Sequence, residues 1–190
     1  MNIWLILIAC PVRIKGKEHF QKGKKYIIVF NHNALLDVPL SAPFVPGACK
    51  TIAKDSFAKV PLFGWFYSKG AVLVNRKNDK SRVQSFEQMK AVLNSGMNMC
   101  IYPEGTRNRT TMPLKTFHDG AFRLSVETGI PIIPCIIKGT KKAMPINRLF
   151  YLFPTKLSME FLPPISPDGK QIQNLKAEIF TLMTSKYSEV

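Results

Sequence analysis

Short apolar runs alternate along the chain with longer segments in which apolar residues recur at every third or fourth position. Runs of four to six residues that are rich in aliphatic side chains are typical of buried strands. Seven segments fit this description: 12–15, 26–30, 49–53, 71–74, 97–102, 132–137 and 157–161. The pattern therefore predicts seven strands.

The longer segments predict three helices, over 81–93, 119–128 and 171–187. The first carries Phe86, Met89 and Leu93 at spacings of three and four, and it stops near Gly96, a residue type common at helix ends. Strands that alternate with helices favour a largely parallel sheet. We therefore predict an α/β fold: a single-domain sandwich with a mostly parallel central sheet flanked by helices.

A chain of 190 residues is most naturally one domain with a full hydrophobic core. We assign residues 12–190 to that domain, and residues 1–11 to a short N-terminal segment that either associates with a membrane or is buried. The apolar run 2–10 is shorter than the roughly 20 residues that a membrane-spanning helix needs. It also lacks the basic start and the small-residue cleavage site of a signal peptide.

Cysteine and histidine are sparse, and their spacing is not that of a metal site. Cys10, Cys49, Cys100 and Cys135 form no C-x-x-C pair and lie in or beside apolar runs, as reduced core cysteines do. None of the three histidines is spaced with Cys, Asp or Glu as a zinc site requires. We therefore expect neither a bound metal nor a cofactor.

One histidine and one aspartate follow the second predicted strand. His32 stands five residues before Asp37, about 500° along a regular helix, so the two meet only if the chain turns between them. Pro39 is best tolerated in the first turn of a helix, which puts Asp37 near that helix's N-terminus. The carboxylate would then accept a hydrogen bond from one imidazole nitrogen while the other faces a substrate. Such a pair can act as a general base, although a turn without chemistry is the commoner occurrence at this spacing.

Charged residues follow two further predicted strands. Arg76 comes after the fourth strand, and the segment 102–109, which contains Arg107 and Arg109, comes after the fifth. Ligands of parallel sheets collect at the carboxyl ends of the strands, so we expect these groups to meet His32 at one edge. Because the guanidinium fork matches the oxygens of a phosphate in pairs, the arginines favour a phosphate ligand.

The formal net charge is +15, from 27 basic and 12 acidic residues. Such a balance attracts a membrane surface, a nucleic acid or phosphorylated substrates, unless it is simply a solvated surface. The basic residues are dispersed, and two aromatic segments, 63–67 and 149–153, lie beside aliphatic residues and cations. Aromatic rings next to cations suit the headgroup level of a bilayer, so we favour an anionic membrane surface and expect no nucleic acid. Core packing is the alternative for either segment.

Four ordered blocks of this sequence resemble those of the glycerolipid acyltransferase family. They are 31–37, with Asn31-His32 and Asp37, then 70–76 (Gly-Ala-Val-Leu-Val-Asn-Arg), 102–107 (Tyr-Pro-Glu-Gly-Thr-Arg) and 129–134 (Gly-Ile-Pro-Ile-Ile-Pro). The match extends from about residue 12 to residue 164, with the blocks in the right order and spacing. Within the family, the chain is most similar to 1-acylglycerol-3-phosphate O-acyltransferases.

The resemblance implies a reaction and two catalytic roles. His32 removes the proton from the free hydroxyl of a lysophospholipid, Asp37 orients His32, and the oxygen attacks an acyl thioester, either acyl-CoA or acyl carrier protein. With lysophosphatidic acid as the acceptor, the product is phosphatidic acid. No covalent acyl-enzyme is needed, and the sequence has no G-x-S-x-G motif.

The resemblance also assigns residues to the acceptor site. Arg76 and Arg107 bind the phosphate, while Glu104, Gly105 and Thr106 shape the acceptor pocket. Glu104 holds either a glycerol hydroxyl or an arginine. Backbone N–H groups around Gly105 are candidates for stabilising the oxyanion.

One departure from the family pattern concerns the acceptor headgroup. Where members often carry Phe-Lys-Lys-Gly-Ala-Phe, residues 117–122 contain His118 and Asp119, so one or two expected cations are replaced. Either Lys115 substitutes for them, or the acceptor is a different lysolipid, such as an acylated amino acid.

A second departure concerns membrane attachment. Family members usually place membrane-associated helices before the strand that begins here near Val12. Either the anchor is reduced to residues 2–10 with the aromatic segments, or the sequence is an abbreviated form. We expect peripheral or shallow attachment at the cytoplasmic face of a membrane. A basic module that binds anionic lipid or nucleic acid without turnover is the competing interpretation, but it leaves the four blocks unexplained.

Overall fold

The computed structural model describes residues 5, 7–59, 64, 69–75, 77–148 and 151–189. Within these ranges seven strands form one sheet: β1 (Val12–Lys15), β2 (Ile27–Phe30), β3 (Cys49–Lys54), β4 (Ala71–Val74), β5 (Asn98–Ile101), β6 (Ile132–Lys138) and β7 (Leu157–Phe161). Each predicted strand is confirmed, with ends that differ from the prediction by one residue at most.

The described ranges also contain five α-helices: α1 (Asp37–Ser41), α2 (Asp79–Asn94), α3 (Gly120–Thr128), α4 (Thr140–Ala143) and α5 (Ile172–Ser188). Short 3₁₀ helices lie in the connections, at Lys17–His19, Ala42–Phe44 and Asp55–Lys59. The three predicted helices correspond to α2, α3 and α5. Helix α2 begins before its predicted start because Asn78 caps it, its Oδ1 accepting the N–H of Ser81 at 3.0 Å. Helices α1 and α4 are too short for a helical period to reveal them.

The strands of the sheet follow the order β1-β7-β6-β2-β5-β3-β4. The five strands from β6 to β4 are all parallel. Strand β7 is antiparallel to β6, and β1 is parallel to β7, so these two strands run opposite to the other five. The prediction of a mostly parallel sheet is therefore confirmed. The carboxyl ends of the five parallel strands lie together along one edge, which we call the carboxyl edge.

The two faces of the sheet carry separate hydrophobic cores, because side chains alternate along each strand. On one face, the helix face, Ile27 and Val29 pack beneath α2, α3 and α5. On the other, the loop face, Ile28 and Phe30 pack beneath α1, α4 and N-terminal residues that include Leu5. The predicted sandwich is thus confirmed, with long helices on one face and short segments on the other.

Two predicted segments fall partly outside the described residues. Of the N-terminal run 2–10, Leu5 and Cys10 are buried, whereas Leu7 is 80% exposed. The aromatic segment 63–67 is described only at Gly64, and the segment 149–153 only at residues 151–153.

The cysteines agree with their prediction as core residues. All four are free thiols; Cys10, Cys100 and Cys135 are buried and Cys49 is half-buried. In the part of the chain that the structure describes, no helix combines the length and the apolar character that crossing a bilayer requires.

Candidate active site

His32 and Asp37 lie in direct contact at the carboxyl edge. The chain turns after β2, where the N–H of Asp37 donates to the carbonyl of Ala34 at 3.3 Å, and α1 begins at Asp37 with Pro39 in its first turn. This turn brings Oδ2 of Asp37 within 2.8 Å of Nδ1 of His32. The structure therefore brings the two side chains together in the way that the turn predicts.

The Asp37 carboxylate is held through one oxygen. Besides the imidazole, its Oδ2 accepts the N–H groups of Asn33 at 2.5 Å and Ala34 at 2.7 Å. The side chain of Asp37 is fully buried, while that of His32 is 17% exposed. Because a carboxylate only accepts hydrogen bonds, Nδ1 of His32 carries the proton in this contact and Nε2 keeps its lone pair. Nε2 is thus the basic nitrogen of the pair.

The loop after β5 bonds to both backbone groups of His32. Oε1 of Glu104 accepts the N–H of His32 at 2.7 Å, and the N–H of Asn108 donates to the carbonyl of His32 at 2.7 Å. Oε2 of Glu104 accepts the N–H of Lys115 at 2.9 Å. Burial raises the pKa of Glu104, and the two N–H donors act in the opposite direction. The buried carboxylate of Glu104 thus connects the backbone of Lys115 to the backbone of His32.

A cavity of about 600 Å³ opens beside His32 at the carboxyl edge. Its walls combine apolar side chains, such as Leu35 and Val38, with cationic ones. The cations are Lys54, Arg107, Arg109 and Lys115. Among the described residues that line the cavity there is no carboxylate. Four positive charges on a wall whose described residues include no acid favour an anionic ligand, and guanidinium groups suit a phosphate in particular.

Comparison with known proteins decides the family. A family model described as Acyltransferase matches residues 11–138, which include His32, Asp37 and most of the cavity wall. The chain belongs to the acyltransferase family. The resemblance carried by the four sequence blocks is therefore confirmed.

Relatives of this chain carry a more specific name. A "1-acyl-sn-glycerol-3-phosphate acyltransferase" of Cocos nucifera is 30% identical over 88% of this chain and 53% of its own length. A protein of the same name from Salmonella typhimurium is 32% identical over 86% of this chain and 67% of its own length. The chain thus spans about half to two thirds of the curated relatives that it matches.

A solved structure has a fold similar to that of this chain. It is the crystal structure titled the 1-acyl-sn-glycerophosphate (LPA) acyltransferase, PlsC, from Thermotoga maritima, with a TM-score of 0.84 and 26% sequence identity. The similarity covers 98% of this chain and 73% of that one. It confirms the predicted α/β fold.

Most of the residues that the acyltransferase blocks point to lie around the one cavity. The cavity is lined by His32, Gly105, Thr106, Arg107 and Lys115. Asp37 lies behind His32, and Nζ of Lys115 donates to Oγ1 of Thr106 at 2.6 Å. Arg76 lies outside the described residues.

Two expected contacts of the acyltransferase loop differ in the structure. The N–H of Gly105, a candidate oxyanion donor by sequence, donates to the carbonyl of Tyr102 at 3.0 Å and is already used. Gly105 has a φ of 69°, which requires glycine at this turn. Glu104, which the sequence analysis pairs with a glycerol hydroxyl or an arginine, accepts two backbone N–H groups and does not line the cavity.

His118 and Asp119, where the sequence departs from the family pattern, do not line the cavity. The carboxylate of Asp119 instead pairs with Nζ of Lys176 on α5, at 2.6 Å, and this contact lowers the pKa of Asp119. The N–H of His118 donates to the carbonyl of Pro103. The cavity keeps its cations despite the altered block, and Lys115, the proposed substitute, is among them.

Sequence reasoning missed two residues of this site. Lys54 ends β3 at the carboxyl edge, so the rule that ligands collect there would have found it. Asn108 is fully buried, and its side-chain amide donates to the carbonyl of Met112 at 2.8 Å while Oδ1 accepts the N–H of Thr110 at 2.9 Å. An asparagine in a polar loop carries no sequence signal that separates such a role from ordinary exposure.

Proposed function

We propose that the protein transfers a fatty acyl group from an acyl thioester to the free hydroxyl of lysophosphatidic acid, giving phosphatidic acid. One observation carries the proposal: the Asp37–His32 pair and four cations face one cavity without an acidic lining residue among those described. A base next to a cationic cavity wall is the arrangement that a phosphorylated alcohol needs. The names of the relatives agree with it.

The proposed reaction needs one base and no covalent intermediate. Nε2 of His32 takes the hydroxyl proton as the oxygen attacks the thioester carbonyl, forming the new C–O bond. The tetrahedral species then collapses, the C–S bond breaks, and the proton passes from His32 to the departing thiolate. Asp37 keeps the proton on Nδ1 and stabilises the imidazolium that forms in between. A positioned base of this kind contributes about 10²–10⁴-fold to the rate.

The acceptor phosphate is proposed to bind at the cationic wall of the cavity. Arg107 and Lys115 supply charge-assisted donors, and Thr106 is tied to Lys115 and shapes the same wall. Lys54 and Arg109 add positive charge from neighbouring positions. Arg76 is proposed as a further phosphate ligand on the resemblance alone. Because Asp119 pairs with Lys176 outside the cavity, the altered block does not argue for a phosphate-free acceptor.

The proposed donor is acyl-CoA or acyl carrier protein. Both carry phosphate on a pantetheine arm, and carrier proteins are acidic, so a net charge of +15 suits either one. Turnover with each donor at equal acyl-chain length distinguishes them.

The carboxyl edge is proposed to face an anionic membrane surface, at the cytoplasmic face of that membrane. Of the exposed large apolar side chains in the described residues, five lie on loops or segments of this edge: Leu7, Leu35, Met112, Tyr151 and Phe153. The guanidinium of Arg148 lies 5.2 Å from the centre of the Tyr151 ring. Apolar and cationic groups beside an open cavity suit peripheral attachment to anionic lipid.

The activity is tested with labelled acyl-CoA or acyl carrier protein and two acceptors, lysophosphatidic acid and an N-acyl amino acid with a free hydroxyl. We expect a diacylated product from the phosphorylated acceptor, formed about 10²–10⁴-fold more slowly when His32→Ala is used. Equal turnover by His32→Ala would show that the proposed base is wrong. Binding of lipid without any turnover by the wild-type protein would support the non-catalytic basic module instead.

The headgroup is tested by changing the cationic wall. Arg107→Ala should raise the KM for lysophosphatidic acid by roughly 10- to 100-fold and leave the KM for the acyl donor unchanged, because a bidentate phosphate contact is lost. Arg123→Ala, an exposed arginine on α3 paired with Glu127, is the matched control. Equal KM values for Arg107→Ala and Arg123→Ala would argue for an acceptor without a phosphate.

Membrane contact is tested by sedimentation with vesicles of phosphatidylcholine, with and without phosphatidylglycerol. The double variant Tyr151→Ser/Phe153→Ser should sediment less with the anionic vesicles than the wild-type protein does. Val83→Ser is the control, since Val83 is 65% exposed but lies on α2, which covers the helix face, and not on the loops of the carboxyl edge. If the double variant and the control lose vesicle binding equally, the carboxyl edge is not the membrane contact.

A further inference from the structure

We propose that Tyr102 and Ser41 form a positioning pair that holds the imidazole of His32 in its reactive orientation. The inference rests on the proposed role of His32 as the base. Neither residue is one that the family blocks assign to catalysis or to substrate binding.

The ring of Tyr102 lies against the imidazole of His32. The two ring centroids are 4.6 Å apart with planes tilted by 45°, and the Tyr102 ring also stacks on Phe30 at 5.3 Å. His32 is thus held at its Nδ1 by Asp37 and on its ring by Tyr102. An aromatic face within about 6 Å of a cation attracts it, so the same contact favours the imidazolium formed during proton transfer.

The hydroxyl of Tyr102 is bonded inside the protein. It lies 2.7 Å from Oγ of Ser41, and both residues are buried. Ser41 has one hydroxyl proton, which it donates to the carbonyl of Val38 at 3.3 Å, so its oxygen is left to accept the Tyr102 O–H. Burial raises the pKa of Tyr102 well above its ordinary value, which keeps the hydroxyl protonated as a donor.

The bond to Ser41 closes a ring of contacts around the histidine. Ser41 is the last residue of α1, and Asp37, which holds Nδ1 of His32, is its first. The two groups that touch the imidazole are therefore joined to each other through one short helix. A change in the tilt of α1 relative to β5 would move Asp37 and Tyr102 apart, and the hydroxyl bond opposes that change.

Simple core packing does not account for the hydroxyl. A phenylalanine would fill the same space between Phe30 and His32 without placing a polar atom in the core, and a buried hydroxyl is unfavourable unless it is bonded. The sequence instead supplies a tyrosine at this position and a serine opposite it. The pairing of both residues therefore indicates a specific link between α1 and the loop after β5.

The test compares the kcat of four variants: Tyr102→Phe, Tyr102→Leu, Ser41→Ala and the double variant Ser41→Ala/Tyr102→Phe. Tyr102→Phe keeps the ring and loses the link, and kcat should fall roughly 3- to 10-fold with both KM values unchanged. Tyr102→Leu loses both, and kcat should fall about 10- to 100-fold. Ser41→Ala leaves the Tyr102 hydroxyl buried without its partner, so it should lower both Tm and kcat, and the added Tyr102→Phe change should restore much of the Tm.

Tyr26→Phe is the matched control. Tyr26 is a buried tyrosine of the loop face, its hydroxyl accepts the N–H of Gln21 at 3.3 Å, and it lies at the edge of the sheet opposite His32. Its loss should affect Tm without changing kcat. A kcat for Tyr102→Phe equal to that of Tyr26→Phe, while His32→Ala still lowers turnover as expected, would overturn the positioning role and leave the proposed function intact.

A second measurement does not depend on turnover. The ¹⁵N shifts of the His32 ring report which nitrogen carries the proton. We expect one Nδ1–H form in the wild-type protein and in Tyr26→Phe, and a mixture of the two forms in Ser41→Ala. The same single form in Ser41→Ala would contradict the proposal. If the wild-type protein has no His32-dependent turnover, the proposed function fails and the catalytic role of the pair fails with it.

Discussion

The two faces of the sheet are covered in different ways. The helix face is packed by α2, α3 and α5, three helices of nine to seventeen residues whose apolar side chains merge into one core. The loop face is covered by α1 and α4, of five and four residues, and by N-terminal residues. The loop face carries Tyr102, which packs against His32, and Phe30, which stacks on Tyr102.

This difference separates stability from chemistry. A long amphipathic helix buries its apolar side chains whatever follows it in the chain, so the helix face supplies packing energy. Short segments are positioned by specific hydrogen bonds, such as those to Asp37 and Glu104, and these bonds also hold the proposed catalytic pair. Substitutions of loop-face residues that contact this pair should therefore change activity more than stability, and substitutions on the helix face should do the reverse.

The largest effect is expected for His32→Ala on the loop face. Loss of the base should lower kcat by about 10²–10⁴-fold, whereas the unfolding free energy should stay close to that of the wild-type protein because the imidazole is partly exposed. Steady-state turnover and urea unfolding of the same preparations check both parts. A comparable loss of stability in this variant would erase the distinction between the two faces.

The counterpart on the helix face is Ile179→Ala. Ile179 is fully buried on α5, so its truncation should lower the unfolding free energy by about 2–5 kcal/mol through lost burial and the cavity left behind. The KM and kcat of the protein that remains folded should stay unchanged at low temperature. A selective fall in kcat with normal stability would show that the helix face takes part in the chemistry.

A smaller effect is expected for Asn108→Ala, which sharpens the role of the loop after β5. The change removes the buried amide contacts to Met112 and Thr110, which should lower the unfolding free energy by about 1–3 kcal/mol. It should also loosen the loop that carries Arg107 and Arg109. The KM for a phosphorylated acceptor should rise severalfold. Asn174→Ala, an exposed position on α5, is the control and should change neither quantity.

The smallest effect concerns the pH dependence of stability at Glu104. Burial raises the pKa of Glu104 in the folded protein above its ordinary value of 4.5, so between the two values the folded state keeps a proton that the unfolded chain releases. The contribution of Glu104 to the unfolding free energy therefore falls as the pH rises through this interval. Chemical unfolding of wild-type and Glu104→Gln proteins across pH 4.5 and above measures it. We expect the difference, wild type minus variant, to decrease with pH; a difference that rises would contradict the assigned direction.

The elements could be predicted from sequence where their signal is local. The strand at 71–74 and the helix over 171–187 have periods and end signals that depend only on neighbouring residues, and the structure agrees with them. Helices α1 and α4 have too few residues for a period. The pairing of His32 with Asp37 was also accessible, because a turn between two residues five apart has few alternatives.

The hydrogen-bond partners of Glu104 and Asp119 could not be predicted from the sequence. Glu104 accepts the N–H of His32, 72 residues away, and Asp119 pairs with Lys176, 57 residues away. A carboxylate in a loop contacts whichever donor the packing brings to it, and sequence spacing contains no record of that donor. That the Asp119 side chain points to Lys176 and not into the cavity is seen only in the tertiary structure.

The sequence by itself determined the strands and long helices, the family and the candidate residues of the site, because these depend on local periodicity and on short ordered blocks. Only the tertiary structure decided that Glu104 bonds to two backbone groups, that Tyr102 reaches Ser41, and that Asp119 lies outside the cavity. These contacts join residues far apart in the chain. They are selected by the packing of the whole sheet, through the burial of polar groups that must find a partner.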